Sequence, residues 1–108
     1  MENVEKILNK HQLDYDIDWQ HSGEPYLTET GSLVNALSDA VKEITGNNPT
    51  ISTSGGTSDG RFIAKICDQV VEFGPINESI HKINENVNID DIETLKNIYK
   101  LAILKILN

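Results

Sequence analysis

The stretch "DDIETLKNIYKLAILKIL", residues 90–107, constrains the fold of this chain more than any other. Ile92, Leu95, Ile98, Tyr99, Ala102, Ile103 and Ile106 recur at helical spacing, and Leu101, Leu104 and Leu107 widen the apolar face they make. Asp90 and Glu93 stand at capping-box spacing, which predicts that the helix starts there. A helix apolar over so much of its circumference needs cover on more than one side. The remaining chain is short of cover. Of 108 residues 38% are hydrophobic and six are aromatic, below the usual share of a soluble domain. That deficit implies either a marginal fold or a segment of something larger.

Length allows one small domain with a modest core. Nine basic against seventeen acidic residues leave a formal charge of −8. Such a balance argues against an electrostatic grip on nucleic acid or on an anionic membrane. An anionic partner would have to be held locally, by a few cations and backbone N–H groups. Cys67 is the only cysteine, so no internal disulfide forms and a reducing compartment is compatible. No apolar run approaches the ~20 residues needed to cross a bilayer. "MENVEKILNK" has acids among its first residues and no long apolar core, so it does not read as a secretory signal. A cytoplasmic location is expected.

Periodicity carries the rest of the reading, because the chain has no repeat and no low-complexity tract. Val4, Ile7 and Leu8 suggest a short helix over roughly residues 2–11. "YDIDW" alternates, with Tyr15, Ile17 and Trp19 on one side and Asp16 and Asp18 on the other, as a half-buried strand would. "HSGEPYLTETGS" reads as a connector. Leu33, Val34, Leu37, Val41 and Ile44 form the stripe of a second helix, with Gly46 placed to end it and Pro49 to prevent resumption. "TIST" is a short strand candidate, Phe62, Ile63 and Ile66 suggest a brief helix, and "QVVEF" reads as a buried strand. Strands alternating with helices point to an α/β layer architecture.

Two dense segments carry candidate chemistry. In "SGGTSDGRF", Gly55 and Gly56 lie between a strand candidate and a helix candidate, where glycine lets backbone N–H groups approach a ligand. Ser58 or Asp59 is placed to cap the next helix, whose positive end favours an anion. The segment lacks the Gly-Lys-Ser/Thr of a phosphate loop and the G-x-G-x-x-G of a dinucleotide fold. An anion cradle and an ordinary strand-to-helix turn both fit. In "FGPINESIHKINE", His81 lies between Ile80 and Ile83. It reads either as a structural imidazole or as a neutral nitrogen donor to zinc. One ligand cannot hold a catalytic zinc, which typically takes about three from protein. His11 and His21 have no ligand spacing and read as surface histidines. Cys67, with no nearby base, reads as a small buried hydrophobe.

Taken together, "SGGTSDGRFIA" and, after a short gap, "VVEFGPINESIHKINENV" closely resemble the C-terminal portion of the zinc-dependent, aminoacylase-like metallopeptidase family, in order and separation. "IHKINE" is a specific signal of that family, and "WQHSGEPYLT" with the helix after it is similar to it more loosely. The resemblance covers nearly the whole chain. It implies a fragment of an α/β protein, since full-length members are several times longer, with a catalytic domain interrupted by a lid that mediates dimerisation. Residues 1–20 would be the last helix and strand of the lid. Residues 21–108 would be the C-terminal segment of a three-layer zinc-peptidase-like catalytic domain.

By the same resemblance, His81 matches the family's C-terminal zinc ligand. The other ligands, a histidine, a bridging aspartate and two further carboxylate positions, would lie outside this chain with the glutamate general base. No catalytic residue is expected within it. Gly56 and Thr57 match a substrate-contacting loop, and Ser22, Arg61 and Asn77 match positions lining or supporting the substrate pocket. Glu85 belongs to the motif either as a supporting partner or as a surface carboxylate. The resemblance implies two zinc ions, with cobalt able to substitute, a small substrate carrying carboxylates and a homodimer at full length. Its "GGTSDGRF" form favours hydrolysis of N-succinyl-LL-2,6-diaminopimelate to succinate and LL-2,6-diaminopimelate, in lysine and diaminopimelate biosynthesis. The alternatives are acetylornithine deacetylation or a related aminoacylase activity, and a non-catalytic binding or dimerisation module.

Overall fold

In the computed structural model, which describes residues 2–56, 58–76 and 78–108, four helices follow in order: α1 (Glu2–Lys10), α2 (Ser32–Thr45), α3 (Gly60–Ile63) and α4 (Ile89–Leu107). The apolar stripes of α2 and α4 explain the core. Leu37, Ala40 and Val41 of α2 meet Ile98 and Ala102 of α4, with Ala40 fully buried and Ile98 only 3% exposed. Small residues on both sides let the helices come close, and no other pair of helices is in contact among the described residues. Val71, Phe73 and Leu101 pack partly buried around this cluster. Phe73 sets its ring edge-on to Tyr99, centroids 6.0 Å apart, and the Tyr99 hydroxyl donates to the Phe73 carbonyl.

Helix ends follow from local chemistry, with one shift from expectation. Gly46 adopts the left-handed conformation (φ 76°) and its N–H bonds back to Lys42 O, the stop read from the sequence. At α4 the cap is Asn88 rather than Asp90: its Oδ1 accepts the Asp90 N–H at 3.1 Å. Asp90 and Asp91 instead fill the first turn, where negative charge complements the helix dipole. Helix α2 has no capping side chain of its own, because Gly31 stands at its N-cap. The cap comes from 36 residues away, where Gln69 Oε1 accepts the Leu33 N–H at 2.9 Å. A Cβ at Gly31 would sit 2.5 Å from that amide, so glycine there is what admits the distant cap.

The expected α/β layering is not what the described residues form: they contain helices and no strand. The three stretches read as strands, 15–19, 50–53 and 69–73, are extended but carry no ladder, and a strand exists only through a partner that takes its N–H and C=O groups. Their side chains bond in other ways. Tyr15 and Trp19, on one side of "YDIDW", donate to Asn9 at 3.2 Å and Glu5 at 3.0 Å, so this segment lies along α1. Residues 69–72 run antiparallel to the connector 26–33, held by side chains. Thr28 Oγ1 donates to Val70 O (2.5 Å) and accepts from Val70 N (3.1 Å), while the Tyr26 hydroxyl donates to Glu72 (2.8 Å). "QVVEF" is therefore half-buried rather than buried. Cys67 is exposed, contrary to expectation, because the turn after α3 packs under nothing and leaves neighbouring Ile66 80% exposed.

The open architecture has a measurable signature. The radius of gyration is 19.1 Å, against about 13 Å for a compact chain of this length. Accessible surface is 9130 Å², against about 6,000 Å² for a compact monomer of this mass. Much of the excess is apolar: Ile92, Ile103, Leu104 and Leu107 of α4 face solvent, as a helix in need of further cover would leave them. With so thin a core, Ile98→Ala is expected to destabilise the α2–α4 pair by about 2 kcal/mol. Urea unfolding followed by helical circular dichroism reads this; an unchanged midpoint would contradict the assigned core.

Candidate functional site

A cleft of about 820 Å³ opens between the connector, the glycine-rich segment and the extended stretch 69–73. Ser22, Gly56 and Arg61, far apart in sequence, all line it. Thr57 and Asn77 lie outside the described residues. Arg61 is the cleft's cation. Its guanidinium carbon lies 4.7 Å from the centroid of the Phe62 ring, and its buried Nε has no hydrogen-bond partner among the described residues. Gly23 makes room for this side chain, because a Cβ there would stand 2.9 Å from Arg61 Cδ. A guanidinium on a cleft wall suits a carboxylate-bearing ligand, which it can bind through parallel N–H bonds.

Beside Arg61 a polar network closes the cleft wall. Ser58 Oγ (2.5 Å) and the Tyr26 hydroxyl (2.8 Å) both donate to Glu72 Oε1, and Gly60 N–H donates to Ser58 Oγ (3.0 Å). Asp59 precedes α3 at its N-cap but its side chain makes no cap bond, so Ser58, the other candidate, holds this turn. A Cβ at Gly60 would lie 2.6 Å from the Tyr26 hydroxyl and 2.8 Å from Glu72 Oε1, which only glycine avoids. The Ser58 and Tyr26 hydrogen bonds hold the Glu72 carboxyl below its ordinary range. The Glu72 hydrogen bond in turn raises the Tyr26 phenol above its own. Tyr26, Thr28, Gln69 and Glu72 were not singled out in the sequence. Their signal is the matched two-residue spacing of Tyr26 and Thr28 against Val70 and Glu72, on segments assigned to different kinds of structure.

His81 does not line this cleft. It stands exposed on a tight turn with left-handed backbone (φ 59°), as does Asn84 (φ 63°). Ser79 pins the turn: its Oγ donates to Asn86 O (2.6 Å) and accepts from Asn86 N (3.0 Å). Among the described residues no three His, Cys, Asp or Glu side chains gather into a metal-ligating group. An exposed imidazole on a pinned turn fits one position of such a group. Glu85 stands exposed on the same turn. His11 and His21 are exposed as expected; His21 Nε2 lies 3.5 Å from Glu24 Oε1.

The paired shifts set the pH window of the network. With the Glu72 pKa lowered, its bonds stabilise the fold above the ordinary carboxylate value of about 4 and are lost as pH falls through the lowered value. With the Tyr26 pKa raised, its contribution is present below about 10 and lost as pH rises through the raised value. Glu72→Gln is therefore expected to bring Tyr26 ionisation down toward that of a free phenol. Titration of ¹³C-labelled tyrosine rings by NMR measures this, and a Tyr26 midpoint indifferent to the substitution would contradict the geometry.

Residues 4–105 match the description Peptidase family M20/M25/M40. A succinyl-diaminopimelate desuccinylase of Nitrosomonas eutropha is 60% identical over 104 residues, 96% of this chain and 28% of the relative. The proteins of the same name from Thiobacillus denitrificans and Bordetella avium are each 56% identical, over 107 and 104 residues, 99% and 96% of this chain and 27% and 28% of the relatives. The chain thus spans little more than a quarter of the length of the curated relatives it matches. Among the described residues no helix is long and apolar enough to cross a membrane.

Proposed function

The chain belongs to peptidase family M20/M25/M40, and we propose from that premise that it supplies the C-terminal part of a zinc-dependent amide hydrolase acting on N-succinyl-LL-2,6-diaminopimelate. The observation that carries this reading is the meeting of Ser22, Gly56 and Arg61 on one cleft, in a chain 60% identical to a relative named for that reaction. Arg61 binds a substrate carboxylate, and the Gly56 backbone and Ser22 orient the substrate beside it. Thr57 and Asn77 are assigned the neighbouring contacts. Such local donors are required because the chain carries −8 and the substrate is anionic.

His81 would hold one zinc, in a centre of two ions where cobalt can substitute. When bound, the metal supplies a Lewis acid for the amide carbonyl and eases deprotonation of water. The remaining ligands and the glutamate base come from polypeptide outside these 108 residues. In the assembled protein, a cytoplasmic homodimer on this reading, residues 1–20 end the lid and residues 21–108 complete a three-layer α/β catalytic domain. The extended stretches 15–19, 50–53 and 69–73 then gain the ladder partners they lack here. The bonding of Tyr15 and Trp19 onto α1 supports residues 1–20 as a unit of their own. Acetylornithine and other aminoacyl substrates are the competitors. A full-length protein carrying this segment is expected to prefer the succinyl substrate, and a clear preference for acetylornithine would reject the assignment.

Two outcomes test the metal assignment. The isolated chain supplies a single recognised ligand, so with added zinc it is expected to show no hydrolysis of succinyl-diaminopimelate; robust metal-dependent turnover would overturn the reading. In the full-length protein, His81→Ala is expected to lower kcat/KM by more than about 100-fold, since even groups that only support a metal ligand are commonly worth 10- to 100-fold. Zinc content measured by atomic absorption should fall with it. Retention of both metal and rate would remove His81 from the site.

A further inference from the structure

We propose that Glu72 is a positioning residue of the cleft, gathering Tyr26 and Ser58 onto one carboxylate oxygen and so fixing the glycine-rich segment and Arg61 against the connector that carries Ser22. The inference rests on the functional reading above and adds to it a residue outside the assigned site. Its basis is a continuous chain of bonds. Glu72 Oε1 accepts from Ser58 Oγ, Ser58 Oγ accepts from Gly60 N–H, and Gly60 directly precedes Arg61. On the other side Glu72 accepts from Tyr26, four residues along the connector from Ser22. One carboxylate thus joins the segment that carries the cation to the segment that carries the opposing hydroxyl.

The surroundings are built for this contact. Gly60 is the one position where a Cβ would strike both Tyr26 and Glu72, so the three segments converge on a point closed to any larger residue. Bonds to a charged acceptor are roughly twice as strong as neutral ones, which suits a clamp on a loop that has no ladder to hold it. The two donors keep the Glu72 carboxyl ionised, which maintains the charged acceptor on which the clamp depends. The register of 69–72 against the connector does not depend on Glu72, because Thr28 bonds to the Val70 backbone in both directions. Loss of the carboxylate should therefore loosen the Arg61 loop and leave the frame in place.

In the full-length protein assayed with zinc and succinyl-diaminopimelate, Glu72→Ala is expected to raise KM by about threefold to tenfold, with kcat held within about twofold. This is the lower part of the range for a charged hydrogen bond, because the carboxylate is exposed. Glu72→Gln, whose amide oxygen can accept from the same hydroxyls, should recover most of the KM. The double variant Y26F/S58A removes both donors, keeps the carboxylate and should reproduce the KM rise; it decides the matter if Glu72→Ala does not fold. An unchanged KM in the double variant, or a fall in kcat alone, would overturn the proposal. A second arm uses the 108-residue chain without any assay of activity. Hydrogen exchange at the Gly60 amide should quicken about tenfold in Glu72→Ala and stay near the parent rate in Glu72→Gln. Absence of turnover in the parent protein would sink the functional reading while this exchange arm still tests the clamp. Unchanged exchange in an active parent would sink the clamp alone.

Discussion

Ala40 and Ile98 meet where α2 packs on α4, and the rest of the molecule is arranged around that contact. It is the one place among the described residues where two helices exclude water from each other. The contact orients Tyr99 toward Phe73 and thereby docks the extended stretch 69–73 onto the helix pair. That stretch then supplies the cap of α2 and one wall of the cleft. A site whose wall depends on so small an apolar core has little rigidity of its own. The rim ion pair Lys105–Glu43, 3.1 Å long and exposed, adds little to it.

Features set by short-range chemistry were legible in the sequence. The stripes of α2 and α4 needed only the helical period, the end of α2 needed only a glycine free to turn left-handed at position 46, and the excess apolar face of α4 needed only counting. What the described residues do not form on their own depended on partners. "YDIDW" and "QVVEF" have the alternation of strands, but alternation states which side of an extended chain is apolar, not what covers it. Here Tyr15 and Trp19 bond to α1, and Val70 and Glu72 bond to side chains of a connector. Cys67 has the composition of a buried residue and no layer above it. The α4 cap is Asn88, which accepts the N–H of Asp90 itself, because several residues near the start have side chains able to cap and spacing alone does not rank them.

The candidate site was legible unevenly for the same reason. Arg61, Gly56 and Ser22 were reached through motif resemblance, and the fold brings them onto one cleft. Tyr26 and Glu72, 46 residues apart, are joined by a bond no local pattern announces. His81 is the converse case. Its motif is strong, and its left-handed turn, pinned by Ser79 and Asn86, is the kind of constrained backbone that presents a side chain in one direction. A rigid presenting turn with a single donor is informative only beside the groups that meet it.

The stretch 69–73 has a further property. Its attachments point to different elements at successive steps: Gln69 to the start of α2, Val70 to Thr28, Glu72 to Tyr26 and Ser58, Phe73 to Tyr99. Because side chains of extended backbone face opposite ways at each step, sliding this segment by one residue would mismatch every attachment at once. A segment of five residues can thereby set the mutual placement of four elements without the ladder that ordinarily keeps extended chains in step.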